Sequence, residues 1–178
     1  MSDITEAKII FIGPVGAGKT TAIRAISDFE PISTEVVASD ETSLIKETTT
    51  VGMDYGEIEI DETLVLRLYG TPGQRRFAHM WDILAQGALG FIILVDNSRR
   101  LPLSDLGMYL DNFKPYIATS AAVIAVTRTD LAPQPDLHAY HKFLQERGET
   151  YPVMTADARQ KDDVLTLVDT LLTCLELT

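Results

Sequence analysis

The chain is short of cysteine: Cys174 is the only one, so no internal disulfide can form, which fits a reducing, cytoplasmic setting. Basic residues are scarce as well, 15 Lys and Arg against 26 Asp and Glu, giving a formal net charge of -11. That balance repels a phosphate backbone, so nucleic acid is not expected as a partner. Long hydrophobic runs are missing. Apolar stretches such as residues 9–12 and 88–95 fall far below the ~20 residues that span a bilayer. The first residues have neither the basic start nor the apolar stretch of a signal peptide, and Ser2 stands where N-myristoylation takes glycine. Cys174 is off the register of a prenylation box, so direct membrane insertion is not expected. Glycine and proline, 11 and 8 residues, are too few for a collagen-like or low-complexity chain. With 46% hydrophobic and 23% charged residues over 178 positions, the composition is that of one folded domain, residues 1–178.

Residues 8–12 are a continuous β-branched apolar run, the pattern of a strand buried on both faces of a parallel sheet. A glycine-rich loop follows, and residues 21–26 then take up apolar spacing that suits a helix. Residues 30–50 are rich in Ser, Thr, Glu and Asp and read as a long polar loop, usually functional in a compact domain. Residues 54–60 and 64–69 alternate polar and apolar around Asp61, Glu62 and Thr63, the pattern of a hairpin. A short helix through Trp81 and Leu84, a buried strand at 90–95, a helix at 103–113, a strand at 121–126, a helix at 137–147, a short strand at 151–154 and a helix at 161–177 complete the chain. Strands alternating with helices predict an α/β fold with a mostly parallel sheet, here of six strands.

The strongest motif is Gly13-x4-Gly18-Lys19-Thr20, which matches the phosphate-loop pattern at every fixed position. Glycines let backbone N–H groups turn inward around a β-phosphate, the following helix adds the positive end of its dipole, Lys19 reaches β and γ oxygens, and the Thr20 hydroxyl serves Mg²⁺. Gly13, Val15, Gly16, Ala17, Gly18, Lys19, Thr20 and Thr21 are the expected nucleotide-binding residues of this segment. The loop names a ligand group and not a function.

From the hairpin onward the chain resembles the Ras-like small GTPases, and the resemblance covers nearly its whole length. Thr50-Val-Gly-Met-Asp54 is similar to their switch I segment, which implies that Thr50 closes over the γ-phosphate and Mg²⁺. Gly70-Thr-Pro-Gly-Gln-Arg-Arg-Phe77 resembles switch II, with Gly73 as the γ-phosphate sensor and Gln74 as the catalytic residue that positions water. Thr127-Arg-Thr-Asp130 stands where the guanine-reading Asn-Lys-x-Asp belongs, and Asp157-Ala158-Arg159 where Ser-Ala-Lys does. The Thr-Pro-Gly-Gln form is closest to a bacterial branch that includes the gliding-motility GTPase and stand-alone GTPases found beside roadblock-type proteins. The resemblance implies a Ras-like three-layer sandwich with one antiparallel strand. It also implies GTP and GDP as ligands with Mg²⁺ held by Thr20 and Thr50, slow hydrolysis assisted by Lys19 and Gln74, and protein effectors and regulators, of roadblock type among them. The switch surface is expected to serve a monomer or a nucleotide-dependent dimer.

Three departures shape these expectations. Gly70 replaces the aspartate that usually opens switch II and holds Mg²⁺ through water, which weakens the expected hold on the cation. Thr127 and Arg128 replace Asn and Lys, so Asp130 is expected to read guanine with less support, while Arg128 can stack over a purine. Val15 crowds the path of an incoming arginine finger, which supplies about 10³ to 10⁵ in rate, so an activator is expected to work by positioning Gln74. Plainer readings stand beside these. Gln74 can cap the next helix, Thr50 can be part of a solvated loop, and Asp130 and Asp157 can be turn or N-cap residues. Phe77, Met80 and Trp81 form either a partner-reading patch or core, and His138 with His141 reads as a solvated helix face. A binding module with little or no hydrolysis is the alternative to a GTPase; a small-molecule kinase would need an arginine-rich lid that the sequence lacks.

Overall fold

A computed structural model describes residues 4–37 and 50–177. Seven strands form one sheet in the order β2-β3-β4-β1-β5-β6-β7: β1 is Thr5–Ile12, β2 Ile32–Val37, β3 Thr50–Glu59, β4 Leu64–Gly70, β5 Gly90–Asp96, β6 Ala121–Thr127 and β7 Val153–Thr155. β1 pairs in parallel with β4 and β5, and β5, β6 and β7 continue in parallel; β3 runs antiparallel to both β2 and β4. One strand therefore opposes the rest, as expected, but the sheet has seven strands rather than six. The additional one, β2, lies inside the stretch that reads as loop. Its sequence is Ile-Ser-Thr-Glu-Val-Val, and among the described residues it pairs with β3 alone, at the sheet edge.

Why the central strands form is plain from their composition. β5 and β6 are buried at every position, as uninterrupted apolar strands covered on both faces must be. Helix α1 (Lys19–Ile26) and α5 (Lys161–Glu176) cover one face, packing Ile23, Val164, Leu167 and Leu171 against Ile9, Phe11, Leu68 and Ile92. On the other, α2 (Ala78–Ala85), α3 (Pro102–Ile117) and α4 (Leu137–Glu146) place Trp81, Leu110, Phe113 and Tyr140 against Ile10, Ile12, Phe91 and Ile93. Each fully buried aliphatic or aromatic side chain contributes about 1.5–3 kcal/mol, so both faces stabilise the sheet that carries the loops. α3 runs beyond the expected end at residue 113 because Ile117, 5% exposed, still packs into the core. Among the described residues no helix is long and apolar enough to cross a membrane.

Candidate functional site

The carboxyl ends of β1, β4, β5 and β6 converge on one edge of the sheet, where ligands of open α/β folds bind. β1 ends at Ile12, and the loop from Gly13 to Gly18 leads directly into α1. Gly16 at φ 78° and Gly18 at φ 105° adopt left-handed conformations that side chains rarely take, which is why the turn needs glycine there. Lys19 is buried, and its Nζ donates to the carbonyl oxygens of Gly13 and Pro14, both at 2.7 Å. This arching back over the loop leaves the ammonium beneath the turned backbone, poised for phosphate oxygens.

Desolvation lowers the Lys19 pKa from 10.5 to about 8, against the attraction of Asp54. Phosphate oxygens would restore the charged form, so nucleotide binding takes up a proton above that value. Affinity is therefore expected to be flat below pH 8 and to fall several-fold between pH 8 and 9, measured by calorimetric titration in buffers of different ionisation enthalpy. A flat profile with no proton uptake would contradict the role assigned to Lys19.

A residue that sequence reasoning missed stands next to the loop. Asp54 on β3 is only 5% exposed. Its Oδ2 accepts a hydrogen bond from the Thr20 hydroxyl and its Oδ1 one from the Ser33 hydroxyl at 2.6 Å. Its place at the end of the Thr50–Asp54 segment gives no sign of these contacts, whose partners are distant in the chain. The side chain of Thr50, expected to close over the γ-phosphate, lies outside the described residues, as do residues 38–49 of the expected polar loop.

Residues 70–77 leave β4 and lie against the phosphate loop. The Thr71 backbone N–H donates to the Phe11 carbonyl at 3.0 Å, Trp81 Nε1 to that of Pro72 at 2.8 Å, and the Tyr109 hydroxyl to that of Gly73 at 3.4 Å. Gly73 approaches the loop so closely that a Cβ would lie 2.9 Å from Val15 Cα and 2.7 Å from the Pro14 carbonyl carbon. Val15 itself is 57% exposed beside it. The Gln74 side chain caps no helix; its Oε1 accepts from Arg76 Nε at 2.7 Å. Trp81 belongs to the core and not to a surface patch, 3% exposed and stacked on Phe113 with ring centroids 5.5 Å apart. Phe77 and Met80 are half-buried, and His79, His138 and His141 are exposed.

At the other end of the loop, a pocket of about 700 Å³ is lined by Ala17, Gly18, Thr21, Thr127, Arg128 and Asp130, with Asp157, Ala158 and Arg159 opposite. Thr127, expected in contact with the base, is 3% exposed, and its hydroxyl lies 3.2 Å from the carbonyl oxygens of both Ala17 and Val95. It braces the phosphate loop. Arg128, with a left-handed φ of 59°, donates from Nη2 to the Gly16 carbonyl at 2.8 Å and holds Nε 3.6 Å from Asp96. Two consecutive residues thus tie two consecutive loop carbonyls. Ala158 Cβ would lie 2.9 Å from a Cβ at Gly18, so the last loop closes the same corner. Asp157 is not an N-cap, since Gln160 precedes α5; hydrogen bonds from the Arg159 side chain and backbone N–H hold its carboxyl down at about 2. Asp130 is exposed on the pocket's edge.

The family described as "Conserved hypothetical ATP binding protein" matches residues 29–178. Ras-related protein RABA6b of Arabidopsis thaliana is 23% identical over 146 residues, 80% of this chain and 56% of the relative. Ras-related protein Rab-8B of Homo sapiens is 23% identical over 145 residues, 80% of this chain and 62% of the relative. An uncharacterized protein of Methanocaldococcus jannaschii, MJ1339, is 28% identical over 100 residues, 56% of this chain and 57% of the relative. The chain thus spans little more than half the length of the curated relatives it matches.

Proposed function

The chain belongs to the family described as conserved hypothetical ATP binding protein, and because its phosphate loop adjoins a pocket edged by Asp130, we propose that it is a small Ras-like GTP-binding protein. It hydrolyses GTP to GDP slowly and acts as a nucleotide-dependent switch for a protein partner. The observation that carries the choice of base is the exposed Asp130 carboxylate on the pocket edge. An ionised carboxylate only accepts, and guanine presents two donors, N1–H and N2–H, on one edge where adenine has an acceptor at N1. The family's description names ATP, and its match begins at residue 29, beyond the phosphate loop. Adenine is therefore the reading to be tested against.

Mg²⁺ suits the donors here: the Thr20 hydroxyl beside the buried carboxylate of Asp54 is a set of hard oxygens. Thr20 and Thr50 would hold the ion, which neutralises charge on the β- and γ-phosphates when bound. Lys19 binds the same oxygens. Gly73 reads the γ-phosphate through its backbone N–H, and Gln74 orients the attacking water after Arg76 releases its side chain. Effectors, regulators and a roadblock-type partner would engage the segments around residues 31–50 and 70–82. The second reading, binding with scarcely any hydrolysis, is favoured by Val15 standing exposed against Gly73 and by the engaged Gln74.

The experiment is to denature purified protein, identify any released nucleotide by chromatography, titrate stripped protein with GDP, GTP and ATP, and follow single-turnover hydrolysis. Recovered GDP, guanine preference and a slow burst of phosphate are expected. Preference for ATP would overturn the base assignment, and tight GTP binding without phosphate release would establish the second reading.

A further inference from the structure

At the carboxyl end of β5, one residue past the Asp96–Thr127 pair, stands an asparagine that is almost wholly enclosed: Asn97 is 2% exposed. Its backbone N–H donates to the Thr127 carbonyl at 3.0 Å. Its Nδ2 donates to the Ala132 carbonyl at 2.7 Å and to that of Pro135 at 3.1 Å, and its Oδ1 accepts from the Tyr140 hydroxyl of α4 at 2.7 Å. Both amide protons are used, and the orientation of the group is fixed, because turning it over would set its oxygen against two carbonyl oxygens. Burying an amide is costly unless its bonds are recovered, and a buried network that recovers them selects one backbone arrangement. The arrangement selected here is that of residues 127–135, tied at Thr127, Ala132 and Pro135 by one residue. Between those ties the chain turns, with the N–H groups of Leu131 and Ala132 donating to the Arg128 carbonyl at 3.1 and 3.0 Å. That turn carries Asp130 to the pocket edge. Asp130 is exposed, so its carboxylate takes its place from the backbone beneath it and not from packing of its own.

We propose that Asn97 is a positioning residue for recognition of the guanine base: through the carbonyls of Thr127, Ala132 and Pro135 it holds the segment on which Asp130 stands, so that the carboxylate meets both donors of the base at once. This rests on the guanine reading above. Asn97 and Tyr140 stand behind the pocket wall and not in its lining, so they act through Asp130 and not on the ligand. The chain has no amide at position 127 but carries one here, on the neighbouring strand. The two positions divide the work: the Thr127 hydroxyl faces the phosphate loop at Ala17, and the Asn97 amide faces the segment around Asp130. Tyr140 extends the frame to α4, whose first turn Asp136 caps by accepting from the Ala139 N–H at 3.0 Å. A contact made through two bonds depends on such framing, since a shift of about 1 Å is enough to lose one of them.

The test titrates nucleotide-stripped wild type, Asn97→Ala and Tyr140→Phe with GDP, with IDP, whose base lacks the 2-amino group, and with ADP. The wild type should favour GDP over IDP by about 10- to 100-fold, the worth of one hydrogen bond to a charged group. Asn97→Ala removes the amide and should bring that ratio to about threefold or less, by weakening GDP far more than IDP. ADP affinity should stay at the wild-type value, because Lys19 and the phosphate loop still hold its phosphates. Tyr140→Phe removes one bond and little volume; it keeps the test open should the first variant fold poorly, and it should lower the GDP-to-IDP ratio several-fold. Equal losses for GDP, IDP and ADP would mark a general loosening of the fold and overturn the inference. An unchanged GDP-to-IDP ratio in both variants would overturn it too, leaving guanine binding standing. A wild type that binds ADP at least as tightly as GDP instead removes the reading beneath it.

Discussion

Replacement of Lys19 by methionine is expected to weaken nucleotide affinity by roughly 10³ while barely altering the ligand-free fold. The ammonium lies beneath the phosphate loop, with its donors directed at the Gly13 and Pro14 carbonyls. A hydrogen bond to a charged group contributes about 1.5–3 kcal/mol, and two to phosphate oxygens amount to about 3–6 kcal/mol, or two to four decades in Kd. Stability responds differently because the lysine is not at ease. Its pKa of about 8 against 10.5 in the unfolded chain means that the unfolded chain holds the proton more tightly. Ligand-free stability therefore rises as pH climbs from about 8 to 10.5 and is lower below that window, by about 3 kcal/mol at neutral pH. Methionine removes that penalty along with the two carbonyl bonds, and the effects offset, so the unfolding midpoint should move by only a few degrees. Calorimetry of binding and of unfolding on one sample checks both halves. Affinity within tenfold of wild type would end the assignment of Lys19 to phosphate.

The second large effect is expected at Gly73. Alanine there would press its Cβ on Val15 Cα and the Pro14 carbonyl carbon, both backbone atoms of the phosphate loop. Neither can yield without shifting the loop, so residues 73–74 must back away instead. GDP affinity should change little, because the pocket and Lys19 are untouched. Single-turnover hydrolysis should fall by about 10² to 10³, the effect of removing one preorganised donor from a transition state. Anchoring by Trp81 and Tyr109 makes this retreat costly for the neighbouring segment as well. Hydrolysis unchanged from wild type would show that the approach of Gly73 to the loop has no part in the reaction.

Much of this arrangement is legible in the sequence wherever the signal is local. The strand, loop and helix around Gly13 and Lys19 are contiguous, and their residue types are dictated by backbone turns and phosphate chemistry. The buried strands at 90–96 and 121–127 announce themselves as apolar runs. What was not legible depends on pairing. β2 reads as loop because its polar residues match those around it and its strand character comes from lying beside β3. The contacts of Asp54 are not legible because they arise from its register with Gly70 and from Thr20, 34 positions earlier in the chain. Trp81 has the same helical spacing whether it faces water or core, and Tyr109 and Phe113 on α3 decide the matter. For Asp157, one residue decides: Arg159 claims the carboxylate, so it forms a turn instead of a cap.

The bonds from Thr127 to Ala17 and from Arg128 to Gly16 join the two walls of the pocket to each other without any ligand between them. Ordering those walls costs conformational entropy once, during folding, and not at each encounter with a nucleotide. A preorganised cleft can favour a base that it contacts with few side chains, since little of the interaction is consumed in arranging the site. The hydroxyl at position 127 thus holds the architecture without the amide of an asparagine, and in the reading proposed above it is Asp130 that would be left to recognise the base.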